Sequence, residues 1–421
     1  MTGVVRCPSR GGGAVTTTAA VPLWRNGDFR LVWAGQALSG FGNGVSQLAY
    51  PLLVLAITGS PAAAGALAAV RALPHLLFGL VAGALVDRWN RKRTMIACDL
   101  LRALTMATVP AALLAGALTA AHVFAVGFAG GVLYVFFSAA EGACLPNVVR
   151  GDQLTAAVSA QETAQSACGV VAGSVGGALL QVSRGLPFLV DALTFLASAL
   201  CLSFVRGDFR AEGAPPRRTG PLRAEVAEGV RRLWGHPGLR LVALTAAGLQ
   251  IAVSGVALVA IVVARDSGAS AAVIGVLFSA LGVGGVVGAV LAPRLRNRLG
   301  LGGLLLSVLW CQAALWLLLA FSTSPVAIGV VLALFTVSMP CFGIAALSFQ
   351  LEVTPDELRG RVGTAFSVLI WAATPVGGAA AGVLLDLVTP RATALVFAAW
   401  VVVLAAGTTW TGVLRGLDAP A

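Results

Sequence analysis

The chemistry of this sequence lies in charged side chains set within apolar stretches. Asp99 and Arg102 are three residues apart, which puts them on one face of a helix. Glu141 and Glu162 fall at a similar depth in two neighbouring apolar stretches. Together they form an expected inner cluster of three acids and one arginine. Three carboxyls around one guanidinium would not all stay ionised in a medium of low dielectric. A group that takes up and releases a proton is what a proton carrier requires. Glu162 leads as that carrier, then Glu141, with Asp99 and Arg102 read as a fixed pair. The alternative is structural, the acids neutralising Arg102 and one another. Nearer the opposite face lie Arg71, His75 and Asp191. Arg71 with Asp191 reads equally as an outer-gate pair or as static glue, and His75 as a hydrogen-bonded packing residue.

A polar stripe accompanies these charges. Gln36, Gly40, Asn43, Gln47 and Tyr50 recur at the spacing of one helix face. Turned toward lipid, the amides would lack partners. Gln36, Asn43, Gln47 and Tyr50 are therefore expected to line a central cavity, with helix–helix hydrogen bonding as the alternative. Trp310, Trp316 and Trp371 could form the opposite wall, face lipid or pack. No hydrolytic or metal site is expected. His75, His122 and His236 are scattered, neither an H-E-x-x-H nor a Walker A motif occurs, and the seven cysteines include no C-x-x-C pair. The chain reads as no enzyme, with no cofactor.

The elements that carry these residues follow from composition. Of 421 residues, 58% are hydrophobic and 11% charged, against about 25% charged in an ordinary soluble domain. So little charge cannot cover a water-soluble surface. A soluble enzyme and a nucleic-acid partner are thereby excluded, despite a net charge of +11. The chain is expected to be an all-α membrane protein with twelve transmembrane helices. The spans read 28–57, 64–87, 94–117, 122–146, 154–181 and 186–206, then 239–264, 270–293, 300–321, 325–350, 360–387 and 391–414. Met1 to Ala20 are rich in Gly and Thr and have no hydrophobic core of a signal peptide, so residues 1–22 are expected to be a flexible tail. The divisions are then a first six-helix half over 23–206, a cytoplasmic linker over 207–238 with an amphipathic helix near Leu222–Trp234, a second half over 239–415, and a short tail over 416–421. With both termini in the cytoplasm, 23 Lys and Arg fall inside and 3 outside. That bias follows the positive-inside rule and accounts for the basic charge.

The two halves repeat. Gly83 to Arg93 reads GALVDRWNRKR after the second span, and Gly288 to Arg298 reads GAVLAPRLRNR after the eighth. Asp152-Gln153-Leu154 and Asp356-Glu357-Leu358 stand in the same relation. Two six-helix halves in parallel repeat place a substrate site between them. The run Gly83-x-x-x-Asp87-Arg88-x-Asn90-Arg91-Lys92 resembles the loop motif of the major facilitator superfamily, with Asn90 in its second glycine position. Asp99-Leu-Leu-Arg102, Leu145-Pro146 and Pro355-Asp-Glu-Leu-Arg359-Gly360-Arg361-Val362 resemble one exporter branch, that of macrolide-efflux and enterobactin-exporter proteins. The resemblance implies that Gly83, Asp87, Arg88, Arg91, Lys92, Arg359 and Arg361 form a gate on the cytoplasmic side. Asp87 would latch to Arg361 or to a helix terminus, or the cluster would act on topology alone. Drug/proton antiporters of that family carry G-P-x-x-G-G in the fifth span, where this chain has Ala172-Gly173-Ser174-Val175-Gly176-Gly177.

The resulting expectation is a secondary active, proton-coupled exporter of small amphipathic molecules, such as drugs, antibiotics or other secondary metabolites. It would work as a monomer in the plasma membrane, with the substrate, protons and the lipid bilayer as its partners. Siderophore export, uptake, and an accessory or signalling role are the alternatives.

Overall fold

The computed structural model describes residues 22–86, 88–150, 153–206, 222–355 and 358–411. Asp87, most of the expected N-terminal tail and much of the expected linker lie outside the described residues. After a short 3-10 turn at Leu23–Arg25, the helices are α1 (Gly27–Thr58), α2 (Pro61–Val86), α3 (Arg91–Leu114), α4 (Ala120–Val148), α5 (Leu154–Val182), α6 (Leu186–Phe204), α7 (Leu222–Gly235), α8 (Pro237–Asp266), α9 (Ala271–Phe321), α10 (Pro325–Val353), α11 (Arg359–Leu387) and α12 (Pro390–Trp410). Polar caps set many of the starts. Asn26, Asn90, Thr119, Ser270, Ser324 and Thr389 each accept a hydrogen bond from a first-turn amide.

Eleven helices are long and apolar enough to cross a bilayer, and α9 is one of them. Its 51 residues would extend about 77 Å at 1.5 Å per residue, more than twice the hydrocarbon thickness of about 30 Å. The backbone reverses at Gly300, where φ is 69° and ψ is −175°, a conformation that favours glycine. The two arms, 271–299 and 301–321, are separate spans, which makes twelve. The loop expected over 294–299 is helical instead, and the reversal is confined to Gly300.

The helices form two six-helix halves, α1–α6 and α8–α12. Two seams join them, α2 against α11 and α5 against the first arm of α9. One end of the bundle carries the α1–α2 and α5–α6 turns (the turn end), and the other carries α7 (the linker end). The core is distributed unevenly between these ends. At the turn end a single buried cluster runs across both halves, from Leu53 and Phe188 to Ile274 and Phe397. At the linker end the halves have separate cores, one around Met95 and Phe137, the other around Leu304 and Phe349. Helix α7 belongs to the second of these. Its Leu233 is buried there, Glu228 pairs with Arg361, and Gly229 lies against the Arg361 carbonyl.

Glycine makes the seams close. A Cβ on Gly173 would stand 2.7 Å from the amide nitrogen of Ser279, and one on Gly382 would stand 2.7 Å from the Pro61 carbonyl. Backbones that approach so closely hold helices by van der Waals contact, as small residues do within membranes. Hydrogen bonds reinforce the same end: Ser60 Oγ to Asp386 Oδ2 at 2.8 Å, Ser174 Oγ with Ser279 Oγ at 2.8 Å, and Gln181 Nε2 to Ser270 Oγ at 3.1 Å. Toward the linker end, Gly79, Gly83, Gly142, Gly360 and Gly363 face open space. The molecule is sealed at the turn end and open at the linker end.

Candidate functional site

Two features inside the bundle bring chemistry together. The first is centred on Arg102, which is buried within the first half. Its Nη1 lies 3.7 Å from Asp99 Oδ1, and its Nη2 donates to Asn43 Oδ1 at 2.7 Å. The guanidinium covers the Phe195 ring at 3.9 Å, with Tyr134 and Phe137 at 5.5 and 5.7 Å. Asp191 on α6, one turn before Phe195, approaches the same guanidinium. Asp99 and Asp191 are both fully buried, with the hydroxyls of Ser198 and Ser46 beside them. The sequence reading placed Asp191 nearer the outer face with Arg71. The structure forms no ion pair between the two. Arg71 instead lies over the Tyr50 ring, 4.1 Å from its centroid.

In the expected inner cluster, Glu141 lies within electrostatic reach of Asp99, Arg102 and Glu162, in differing surroundings. Glu141 is half-buried and accepts from Gln161 Nε2 at 3.0 Å. Glu162 is exposed. The polar stripe of α1 passes through three environments. Gln36 and Tyr50 are buried, and the Tyr50 hydroxyl reaches Met106 Sδ at 3.3 Å. Asn43 is held by Arg102, and Gln47 is exposed. A helix face that is polar in sequence is thus shared between packing and open surface.

The second feature is a cavity of about 600 Å³ between α2, α4 and α11, open toward the linker end. His75 and Trp371 stack within its wall, their ring centroids 4.0 Å apart and their planes 10° from parallel. Tyr134 flanks His75 at 5.5 Å. The stack on Trp371 holds this ring as a packing residue. Of the three tryptophans considered for the cavity wall, Trp371 takes that place. Trp316 is buried against Phe397, with ring centroids 4.7 Å apart, and Trp310 is exposed.

The basic residues after α2 are fastened to the first half. Arg91 Nη1 donates to the Ala143 carbonyl at 3.0 Å. Lys92 Nζ donates to the Ser203 and Val205 carbonyls at 3.1 and 2.5 Å. Arg88 is exposed, and Gly83 faces open space. Across the opening, Arg359 Nη2 donates to the Leu351 carbonyl at 3.1 Å, and Arg361 is engaged by Glu228.

The sequence model of the Major Facilitator Superfamily matches residues 32–373. The chain belongs to the Major Facilitator Superfamily. It is similar to multidrug efflux pump Tap of Mycolicibacterium fortuitum, 29% identical over 409 residues, which are 94% of this chain and 98% of that protein. Macrolide efflux protein A of Streptococcus pyogenes is 28% identical over 216 residues, 50% of this chain and 52% of that one. Two solved structures share the fold. A mutant of the nucleoside transporter NupG has a TM-score of 0.75 at 12% identity, covering 91% of this chain and 98% of its own. An inward-facing bacterial homologue of the iron transporter ferroportin has a TM-score of 0.72 at 17% identity, with the same coverage.

As a member of the Major Facilitator Superfamily the chain is a multi-pass membrane transporter of small molecules and not an enzyme. Membership also clarifies what the residues alone left obscure. The Arg102 site lies inside one half, whereas the His75–Trp371 stack spans both halves. No pattern in the sequence relates residues nearly three hundred positions apart. The usable signal was weaker: a histidine in the second span and a tryptophan in the eleventh, which occupy different places in the two repeats.

Proposed function

We propose that this transporter exports small, uncharged or weakly charged amphipathic molecules by alternating access, driven by the proton gradient across the plasma membrane. The observation that carries this reading is the asymmetry of the seams, closed by glycine contacts at the turn end and open to a cavity at the linker end. The positive-inside bias supports placing the linker end and both termini in the cytoplasm. The described conformation is then the one that loads substrate from inside. The efflux pumps to which the chain is similar support export as the direction.

The moving bodies in this reading are the halves 23–206 and 239–415, within a single chain. The gate comprises Gly83, Asp87, Arg88, Arg91 and Lys92 on one side and Arg359 and Arg361 on the other. The groups proposed to couple protons are Glu162, Glu141, Asp99 and Arg102. Asp99, Asp191 and Glu141 lie within electrostatic reach of Arg102, and Asp191 also of Arg71, so three carboxyls face two guanidinium groups and one negative charge is left over. An uncompensated charge in such a place is costly, and a proton removes it. Gln47 and the cavity wall contact substrate.

The test uses an efflux-deficient host that expresses the chain and a panel of dyes and antibiotics. Accumulation of one or more compounds is expected to fall, and a protonophore is expected to restore it. Asp87→Asn and Glu162→Gln, at matched membrane expression, are expected to restore it as well. Increased accumulation in the wild type would reverse the proposed direction.

A further inference from the structure

We propose that Trp371, backed by His75, is a stacking platform for flat, uncharged aromatic substrates that carry acceptor oxygens. This deepens the export reading and rests on it for the word substrate, though not for binding itself. The cavity of about 600 Å³ is within the usual range for a small-molecule site, about 300–1,000 Å³. One face of the Trp371 indole is covered by His75, yet 40% of the residue remains exposed. The uncovered part belongs to the cavity wall. A planar ring placed there would extend the stack to three layers, in the parallel arrangement that aromatic rings accept.

The wall also defines the polarity of the occupant. Among the described residues no Asp, Glu, Lys or Arg lines it, so this wall offers a charged ligand no countercharge. The Trp371 N–H and the Ser367 hydroxyl make no hydrogen bond to protein among the described residues, and both groups can donate to a ligand oxygen. The Ser138 and Thr364 hydroxyls donate to the Val135 and Gly360 carbonyls at 3.2 and 2.8 Å. Their oxygens are left as acceptors for a ligand hydroxyl. Carbonyl and hydroxyl groups on a flat ring system match this set.

Position gives the platform its consequence. His75 belongs to α2 and Trp371 to α11, and this is the ring contact that joins the two halves among the described residues. An occupant of the platform therefore touches both bodies that must move.

The experiment measures binding to the purified full-length chain in lipid nanodiscs, without any gradient. The probes are 1-hydroxyanthraquinone, the flat cation ethidium, and a saturated tricyclic ketone of similar size. Wild type is expected to bind the anthraquinone several-fold more tightly than either other probe. Trp371→Leu is expected to weaken it about tenfold, since ring stacking contributes roughly 0.5–1.5 kcal/mol beyond area burial. Trp371→Phe, which keeps a ring, should be intermediate, and Trp310→Leu should match the wild type. Elution as a single monodisperse species confirms folding of each variant. Equal anthraquinone affinity in wild type and Trp371→Leu, or equal binding of ethidium, overturns the platform. Anthraquinone binding that depends on Trp371, in a chain that exports nothing from cells, would sink the export reading and leave the platform standing.

Discussion

Gly177 on α5 and Gly275 on α9 meet backbone to backbone across the seam between the halves, so that a Cβ on Gly177 would stand 2.8 Å from the Gly275 Cα. The contact has no flexible side chain to yield. Replacing Gly177 by Val would force the helices apart, and overpacking of this kind costs typically 1–3 kcal/mol. That cost applies only to the conformation in which the turn end is sealed. An equilibrium shift of roughly 5- to 150-fold toward the opposite state follows. In a cysteine-free background, a reporter made by Ser367→Cys on the cavity wall is expected to lose reactivity when Gly177→Val is added. Unchanged labelling would mean that the seam does not set the conformational equilibrium.

The polar contact on the same seam should matter less. Ser279 Oγ accepts from the Ser174 amide at 2.9 Å and pairs with the Ser174 hydroxyl at 2.8 Å. Hydrogen bonds between membrane helices contribute about 0.6 kcal/mol on average. Ser279→Ala should move the same labelling readout by about threefold, in the same direction as Gly177→Val but far less. A larger effect for Ser279→Ala than for Gly177→Val would reverse the assignment of the seam to steric contact.

Arg102 supports a stability prediction. Asp99 and Asp191 are fully buried near it. Removing one partner of a buried ionic set leaves charge without compensation and costs about 3–5 kcal/mol. Arg102→Met is expected to lower the thermal unfolding temperature markedly in detergent. Adding Asp99→Asn and Asp191→Asn should recover much of the loss, because the uncompensated carboxyls are then gone. If the triple variant unfolds as early as Arg102→Met alone, the packing of Arg102 on Phe195, and not its charge, is what stabilises this region.

Reading these residues from the sequence succeeded where the signal is local. Hydropathy and length locate the spans because each helix must satisfy its own backbone in lipid. The i, i+3 spacing put Asp99 beside Arg102, and α7 begins at Leu222 as its amphipathic pattern implied. Depth and rotation were not local. Asp191 was grouped with Arg71 by counting residues, and α6 brings it within reach of Arg102 as well. Arg294, Arg296 and Arg298 looked like a loop because they are charged, although their helix continues to a reversal at Gly300. Tyr50 appeared to be a cavity residue because it is polar, yet it is packed between Arg71 and Phe188. Each difference arises from which neighbour a helix face meets, and that is decided by helices far away in the chain.

The attachment of α7 to α11 separates two kinds of contact. Glu228 pairs with Arg361 at a partly exposed position, where an ion pair contributes roughly 0–1 kcal/mol. Gly229, one residue on, is buried with its Cα against the Arg361 carbonyl. A side chain there would meet backbone that cannot swing aside. Glu228→Gln is therefore expected to leave α7 docked, whereas Gly229→Val should lift it from the second half. Limited proteolysis reports the difference. Cleavage between residues 222 and 235 should rise strongly in Gly229→Val and stay near the wild-type rate in Glu228→Gln. The opposite order would make the ion pair the element that holds α7, and with it the position of Arg361 at the gate.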